Sequence, residues 1–596
     1  MSTLDLGLIG NSRTAALIDQ SARIVWWCYP YLDSDPICCS LLQSEQAEGS
    51  SFGMIYVLLE NGKALEQQYI VNSAVLKTLL VDGKGNSVEV IDFAPRFHQY
   101  GRMHAPSMLV RIIRRVSGRP RISLSIRPAV DYGGHPAQVR IGTHHISYQG
   151  SLQGMRVTTD SSITAITDEK LFYLEDSVTL LMGADETIDG YPKELGRTFY
   201  EKTVSYWQEW VRNLAVPFEW QDVVIRAAIT LKLNAFDDTG AIIAAVTTSI
   251  PEAAHSGRNW DYRYCWLRDS YFVVNALNRL GATSTMERYL EFILNIIADA
   301  RDQPLQPLYG IRREAFLEEK IAPALAGYRG MGPVRFGNLA YLQVQNDVWG
   351  AGVLASTHAF FDKRLGRPDS KDLFLELERL GELAVQNYDK PDAGIWELRG
   401  TKRIHTFSTL MCWAACHRLA SIAKQLKMHD RYEVWAEHAR LIHQEICQSA
   451  WNAEMNSFVS TFGGDKLDAS LLLMAELQFL PADDPRLVST VEAIEEHLRI
   501  GDFLLRYDEE DDFGRPETAF LVCTFWWILA LAYIGQKEKA RALFENVLSK
   551  RNHLGLLAED VDTKSGELWG NFPQTYSMVG LIQCAMRLSI SWDDAY

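Results

Sequence analysis

The hydrophobic period of this chain changes once, near residue 195, and that change most restricts what it can fold into. Before it, "ARIVWWCYPYLDSDP", "GMIYVLLENGKALEQQYIVNSAVLKTLLVDGKGNSVEVIDFAP", "SMLVRIIRRVSGRPRISLSIRPAVDYGG" and "HHISYQG" alternate, or run in β-branched and aromatic residues. Turn pairs such as Asn61-Gly62 and Asp82-Gly83 punctuate them, the signature of hairpins. Residues 1–195 are therefore expected to form an antiparallel β-sandwich. From "PKELGRTFYEKTVSYWQEWVRNL" onward the period is helical. Phe199, Val204, Trp207 and Trp210 are expected on one face of a linker helix over residues 196–216.

Residues 217–596 hold about twelve segments of ordinary helix length, from "WQDVVIRAAITLKLNAF" to "PQTYSMVGLIQCAMRLSI". The loops 301–341, 391–407, 501–517 and 552–573 between alternate helices are long and aromatic-rich. Long loops in a compact helical domain carry function more often than structure. Their alternation, rather than any exact repeat, predicts a toroid of two concentric rings whose loops form a mouth at one end.

Bulk properties narrow the function. At 596 residues, 47% hydrophobic and 22% charged, the chain can bury a large core. Its net charge of −16 and lack of a basic stripe argue against nucleic acid. The N-terminus lacks the basic and apolar regions of a secretory signal. "FLVCTFWWILALAYIG", the longest apolar run, is too short to span a bilayer, so no membrane is expected. Nine Cys, an odd number without framework spacing, fit reduced thiols and a cytoplasmic location. Cys412, Cys416 and His417 could hold a metal but read better as a buried helix face, so neither metal nor cofactor is expected.

"RNWDYRYCWLRDS", Arg258 to Ser270, packs two Trp, two Tyr, three Arg and two Asp into thirteen residues. This suits either an aromatic core patch with self-satisfied Arg-Asp pairs, or a pocket that stacks a hydroxyl-rich ligand on rings and grips it with charge. Three other loops share the character. "GIWELRG" sets Glu397 beside Trp396, "LLAEDVDTKSGELWGNFPQ" carries Glu559, and "LRYDEEDDFGRPETAF" carries Arg506 and Tyr507. A carboxyl against Trp is desolvated, which raises its pKa and suits a general acid. A second carboxylate kept ionised by Arg and hydroxyl neighbours could activate water, and two such groups flanking a sugar describe glycoside hydrolysis. Each Glu alone reads better as a surface or N-cap carboxylate; the occurrence of all four loops in one toroid favours the site.

Taken together, "TTSIPE…GRNWDYRYCWLRDS", "LAGYRGMGPVRFGN", "GIWELRG", "RYDEEDDFGRPETAFLVCTFW" and "GELWGNFPQTYS" resemble glycoside hydrolase family 15, the glucoamylase and trehalase family. "LGLIGNSRTAALIDQSARIVWWCYPYLDSD" resembles the β domain of its bacterial trehalase-like branch. The resemblance spans essentially the whole chain in the same order. It implies a mainly α protein: an antiparallel super-β-sandwich, a helical linker and an (α/α)6 toroid, the six-hairpin barrel. It implies an exo-acting, inverting α-glucoside hydrolase, with Glu397 as general acid and Glu559 as general base. It implies sugar binding by Arg268 and Asp269, with Trp260, Asp261, Trp266 and Trp396 about them and the Arg506-Tyr507 pair lining the pocket. His255-Ser256-Gly257 stands where bacterial relatives carry Gly-Gly or Gly-Val, a departure at the pocket rim.

The expected partner is an oligosaccharide or disaccharide; whether copies of the chain associate is left open. A phosphorylase on the same barrel would lack a base at Glu559, and a silent carbohydrate-binding protein would have lost one carboxylate. This chain keeps both.

Overall fold

The computed structural model describes residues 3–43, 52–150, 153–300, 305–365 and 370–595. Its first third consists of two antiparallel sheets. One runs in the order Leu6–Gly10, Ala15–Asp19, Ile24–Cys28, Met54–Leu59, Arg121–Arg127 and Phe172–Tyr173, with Pro36–Cys38 added to the third strand. The other runs Gln138–Ile141, His145–Gln149, Met155–Thr159, Ser177–Ala184, Leu109–Ser117, Ser87–Phe93, Leu76–Asp82 and Gly62–Tyr69. Between them Ile9, Trp27, Ile55 and Leu124 meet Leu76, Val88, Ile113 and Val157 in one buried cluster, the alternate-residue core of a sandwich. Among the described residues a short α-helix, α1 (Ile163–Thr167), and a 3-10 turn, Ser40–Leu42, interrupt the strands.

Helix α2 (Pro192–Arg212) leaves the sheets with Pro at its first turn, where the missing N–H costs nothing. Its expected apolar face divides between two neighbours. Phe199 and Val204 pack on Val75, Phe93 and Leu181 of the second sheet, while Trp207 is buried and Trp210 packs against the helical core.

Among the described residues twelve α-helices follow: α3 (Gln221–Asn234), α4 (Leu267–Arg279), α5 (Thr283–Asp299), α6 (Val348–Phe361), α7 (Lys371–Asn387), α8 (Thr406–Gln425), α9 (His429–Ser449), α10 (Leu473–Glu476), α11 (Pro485–Leu498), α12 (Leu521–Tyr533), α13 (Lys537–Leu548) and α14 (Thr575–Leu588). A 3-10 turn, Ala469–Leu472, runs directly into α10. Helix α4 packs on α6, α6 on α8, α8 on the 469–472 turn, α10 on α12, α12 on α14, and α14 on α4. That closes a ring of six. Helices α3, α5, α7, α9, α11 and α13 pack outside it against α14, α4, α8, α8, α12 and α12 respectively. The two concentric rings expected from loop alternation form, as the (α/α)6 toroid that the family resemblance implied.

Composition follows position. Inner helix α12 is buried from Leu521 to Ala532 without interruption, as an element surrounded by protein must be. Outer helix α13 buries only the stripe Ala540, Leu543, Phe544, Val547 and Leu548. Helix α3 breaks this pattern: it stands in the outer ring, yet Ala227 through Asn234 are all buried. The first sheet covers it, with Leu6, Leu8 and Trp26 joining Val224, Ala228 and Leu231 in one core. Trp26 Nε1 donates to the Val246 carbonyl at 2.7 Å, and Asn552 Nδ2 donates to the Leu4 and Leu6 carbonyls at 3.0 and 2.9 Å.

No helix among the described residues is long and apolar enough to cross a membrane. Cys412 and Cys416 lie on the buried face of α8, and His417 stacks on Trp413 at 5.1 Å. Among the described residues no group of three His, Cys, Asp or Glu side chains could hold a metal ion.

Candidate active site

The segments that lead into the inner helices meet at one end of the toroid and enclose about 920 Å³ of atom-free space, counted to the open mouth. Residues 244–269, 338–343, 395–399, 506–520 and 574–576 supply its walls. Three of the four long loops thus reach the cavity, the described part of 301–341 among them. The fourth, 552–573, lies behind the wall.

The opening aromatic stretch divides in two. Cys265 and Trp266 pair as a short extended segment with Tyr309 and Leu308, and Trp266 then caps α4. Arg268 and Asp269 therefore occupy the first turn of α4 at the cavity floor, where the helix dipole favours an acidic side chain. Arg268 Nη1 donates to Gln345 Oε1 at 2.8 Å and Asp347 Oδ2 at 3.1 Å. Its Nε, and Asp269 Oδ1, are buried without a hydrogen-bond partner. Two buried polar atoms that lack hydrogen bonds on the floor of a cavity are costly unless a ligand completes them. Arg268 does not hold Asp269 in its charged form: with Nε 3.9 Å from Oδ1, burial outweighs the guanidinium and pushes the Asp269 carboxyl up to about 7.

Asp261 faces away from the cavity. Fully buried, it takes Arg263 Nε on Oδ1 at 2.9 Å and Arg263 Nη2 on Oδ2 at 2.7 Å. Arg263 Nη1 continues to the Ser34 carbonyl at 2.8 Å. This is the self-satisfied pair that the stretch admitted from the outset, and it joins toroid to sandwich. Trp260 stands at the rim, its ring 5.0 Å from Phe513 and under the Arg399 guanidinium at 4.5 Å. His255 is exposed and does not line the cavity, though Glu252 and Arg258, on either side of it in sequence, do.

Glu397 lines the cavity with its side chain 26% exposed. It sits in the left-handed region at φ 60°, a strained position for a non-Gly residue. A turn closed by its N–H to the Gly394 carbonyl at 3.2 Å holds it there. The indole on its carboxylate belongs to Trp266, not to neighbouring Trp396: Trp266 Nε1 donates to Oε1 at 2.7 Å. Gln345 Nε2 adds a bond at 3.3 Å, and Arg268 Nη2 lies 3.7 Å away. Trp396 also lines the cavity, but its Nε1 donates to Asp468 at 2.5 Å.

Glu559 is 0% exposed and precedes the strand Asp560–Val561, which pairs with Ala519–Phe520 and Leu568–Trp569. Gly570 packs so closely that a Cβ there would lie 2.6 Å from Glu559 Cβ, which explains the Gly in "LWGNFPQ". Oε1 accepts a bond of 2.5 Å from the Tyr262 hydroxyl, and Tyr262 lines the cavity. The expectation of a carboxylate kept ionised by Arg and hydroxyl groups is reversed here. Burial, then the nearby Glu252 and Asp560 carboxylates, raise the Glu559 carboxyl well above the usual range, and the Tyr262 bond and Arg506 only offset this.

Arg506 lines the wall and donates to Glu252. Tyr507 does not line it: it is buried, with its ring 6.0 Å from Trp396 and its hydroxyl donating to Asp511. It supports the loop rather than the cavity surface. Glu252, Tyr262 and Gln345 were not among the candidates. Glu252 had one signal, an acid straight after Pro at the end of an apolar run.

A family model described as Glycosyl hydrolases family 15 matches residues 220–586, and one described as Trehalase-like, N-terminal matches residues 4–171. The chain is 31% identical to the trehalase of Thermoplasma volcanium over 599 residues, covering 98% of this chain and 93% of the relative. It is 30% identical to the trehalase of Mycobacterium tuberculosis over 621 residues, covering 99% and 90%. A bacterial glucoamylase complexed with acarbose superposes with a TM-score of 0.69 over 98% of this chain and 94% of that chain. At 13% identity the likeness is one of fold.

Proposed function

Because this chain belongs to glycosyl hydrolase family 15, we propose that it cleaves α-glucosides from the non-reducing end with inversion, releasing β-D-glucose. Glu397 is the general acid and Glu559 the general base. The terminal glucose lies on the cavity floor, where Arg268 Nε and Asp269 Oδ1 find in its hydroxyls the partners they otherwise lack. The rings of Trp266, Trp396 and Trp526 line the same cavity and give its apolar face a surface.

Glu397 gives its proton to the glycosidic oxygen as the bond to C1 breaks. Water attacks C1 from the opposite face of the sugar and loses a proton to Glu559, on the side where the Tyr262 hydroxyl links that carboxylate to the cavity wall. Inversion requires room for this water, a carboxyl separation of roughly 6.5–9.5 Å. A base whose pKa is raised takes a proton more strongly, provided the pH is high enough to leave it ionised.

The observation that carries the reading is Glu397: a strained carboxylate on a cavity wall, fixed by Trp266 and Gln345 beside two unsatisfied charged groups. Near-full-length similarity to trehalases supports trehalose as the first substrate to try. Glucose release from trehalose, maltose, isomaltose and soluble starch, assayed side by side, ranks the substrates. Proton NMR in the first minutes of reaction, before mutarotation, reads the anomer. β-Glucose is expected; α-glucose appearing first would refute inversion and the role of Glu559.

A further inference from the structure

Glu252 lines the cavity and has no part in the chemistry above. It is 4% exposed. Its Oε2 accepts from Arg506 Nη2, its Oε1 accepts from Trp260 Nε1 at 3.2 Å, and Arg258 Nε stands 3.9 Å from Oε2. The Thr518 hydroxyl contacts both the Glu252 carbonyl at 2.8 Å and Asp560 Oδ1 at 3.1 Å. Glu252 is thus tied to the aromatic rim, to a lining cation and, through Thr518, to the residue that follows Glu559. Arg506 is gripped at Nη2 while its Nε stays buried without a partner. A pair present only for stability would be expected to satisfy its guanidinium, since burying one partly bonded gains little. A cation held at one nitrogen and left open at another, on a cavity wall, is built to receive a ligand.

We propose that Glu252 is a positioning residue that presents Arg506 and Trp260 to the bound sugar and sets a carboxylate charge beside Glu559. The inference rests on Glu559 as the base. Besides burial, Glu252 is the strongest influence raising the Glu559 and Asp560 carboxyls. The other groups acting on Glu559 are Asp560, which raises it, and Tyr262 and Arg506, which lower it. Removing the charge at 252 therefore lets the Glu559 carboxyl fall, and leaves Arg506 to pull it further the same way.

The test is the pH dependence of kcat/KM for Glu252→Gln and Glu252→Asp, beside Glu559→Gln, on the best natural substrate. Glu252→Gln should move the acidic limb down by about one pH unit or more. Glu252→Asp keeps the charge but retracts the carboxylate, so it should hold the limb in place and raise KM as Arg506 and Trp260 lose their anchor. A folded Glu252→Gln protein with its limb unmoved, or a Glu252→Asp protein with wild-type KM, overturns the proposal; the Asp variant decides alone if the Gln variant does not fold. If Glu252→Gln is as inactive as Glu559→Gln and azide restores only the former, Glu252 is itself the base and both readings fall. If Glu559→Gln turns over like wild type, only the base assignment is lost at its source, and the positioning role of Glu252 is then judged by KM alone.

Discussion

The two carboxylates proposed for the chemistry are held in opposite ways, one lining the cavity and one buried behind its wall. Glu397 is a quarter exposed, sits on a strained turn, and is surrounded by donors: Trp266, Gln345 and Arg268. Glu559 is sealed behind Tyr262, beneath Gly570, and shares its surroundings with Glu252 and Asp560. One side chain type thus meets an electron-poor wall and an electron-rich one. Glu559 is thus set apart by the like charges around it, and Glu397 by the backbone turn that holds it; in the reading proposed above these are the base side and the acid side.

The sharpest break of that comparison removes each carboxylate in turn. Glu559→Gln and Glu397→Gln should each lower turnover of natural sugars by about 10²–10⁴. Only Glu397→Gln should recover in part on α-glucosyl fluoride, whose leaving group needs little protonation. Equal recovery by both, followed by fluoride release, would erase the distinction between the walls.

Next in size is the floor that both walls share. Asp269→Ala removes a buried carboxyl proposed to bind the sugar, a change that costs several kcal/mol in comparable sites, roughly a hundredfold or more in kcat/KM. Wild-type kinetics from a folded variant would return Arg268 and Asp269 to a structural role.

Tyr262→Phe acts on the base side alone. Losing a hydrogen bond to a charged group costs about 1.5–3 kcal/mol, roughly ten- to a hundredfold in rate. The hydroxyl favours ionised Glu559, so its loss should also move the acidic limb of kcat/KM to higher pH, opposite to Glu252→Gln. A limb that stays put would detach Tyr262 from the base.

The smallest effect is on stability. Asp269 has a folded pKa of about 7 against an ordinary 3.8, so between these values the folded protein retains a proton that the unfolded chain has released. Stability from this group is therefore lost as pH rises from about 4 to 7, the reverse of a salt-bridged Asp. Asp269→Asn removes the penalty. Its melting temperature relative to wild type should be higher at pH 8 than at pH 5.5, by a few degrees. Scanning calorimetry of both proteins at the two pH values checks this, and a pH-independent difference would contradict the burial argument.

How much of this could be read from residues alone depended on whether the backbone repeats. The twelve helices and the sandwich were legible because their periods, 3.6 and 2, recur over many residues. That the stretches carrying Arg268, Asp269 and Glu397 would wall a cavity was legible because they are too aromatic for ordinary connectors; the roles given to these residues and to Glu559 came from the family resemblance. Asp261 was not, because residues 235–266 form an irregular run in which nothing distinguishes an inward from an outward side chain. Asp261 and Tyr262 are adjacent, yet one faces Arg263 and the sandwich while the other faces Glu559. Trp396 misled for the same reason: sequence adjacency to Glu397 pointed to the wrong indole, and Trp266, 131 residues away, makes the contact.

Helix α3 carries one last consequence. From Ala227 onward it has no face turned to water, because Leu6, Leu8 and Trp26 pack in one core with it. The sandwich is therefore upholstery for the barrel as much as a neighbour of it, and the seam visible in sequence is not a place to cut. A chain begun at residue 217 would present this helix bare and should self-associate. A chimera that borrows the sandwich from a relative would have to borrow α3 and the Asn552 turn with it, since these are the surfaces that have learned each other's shape.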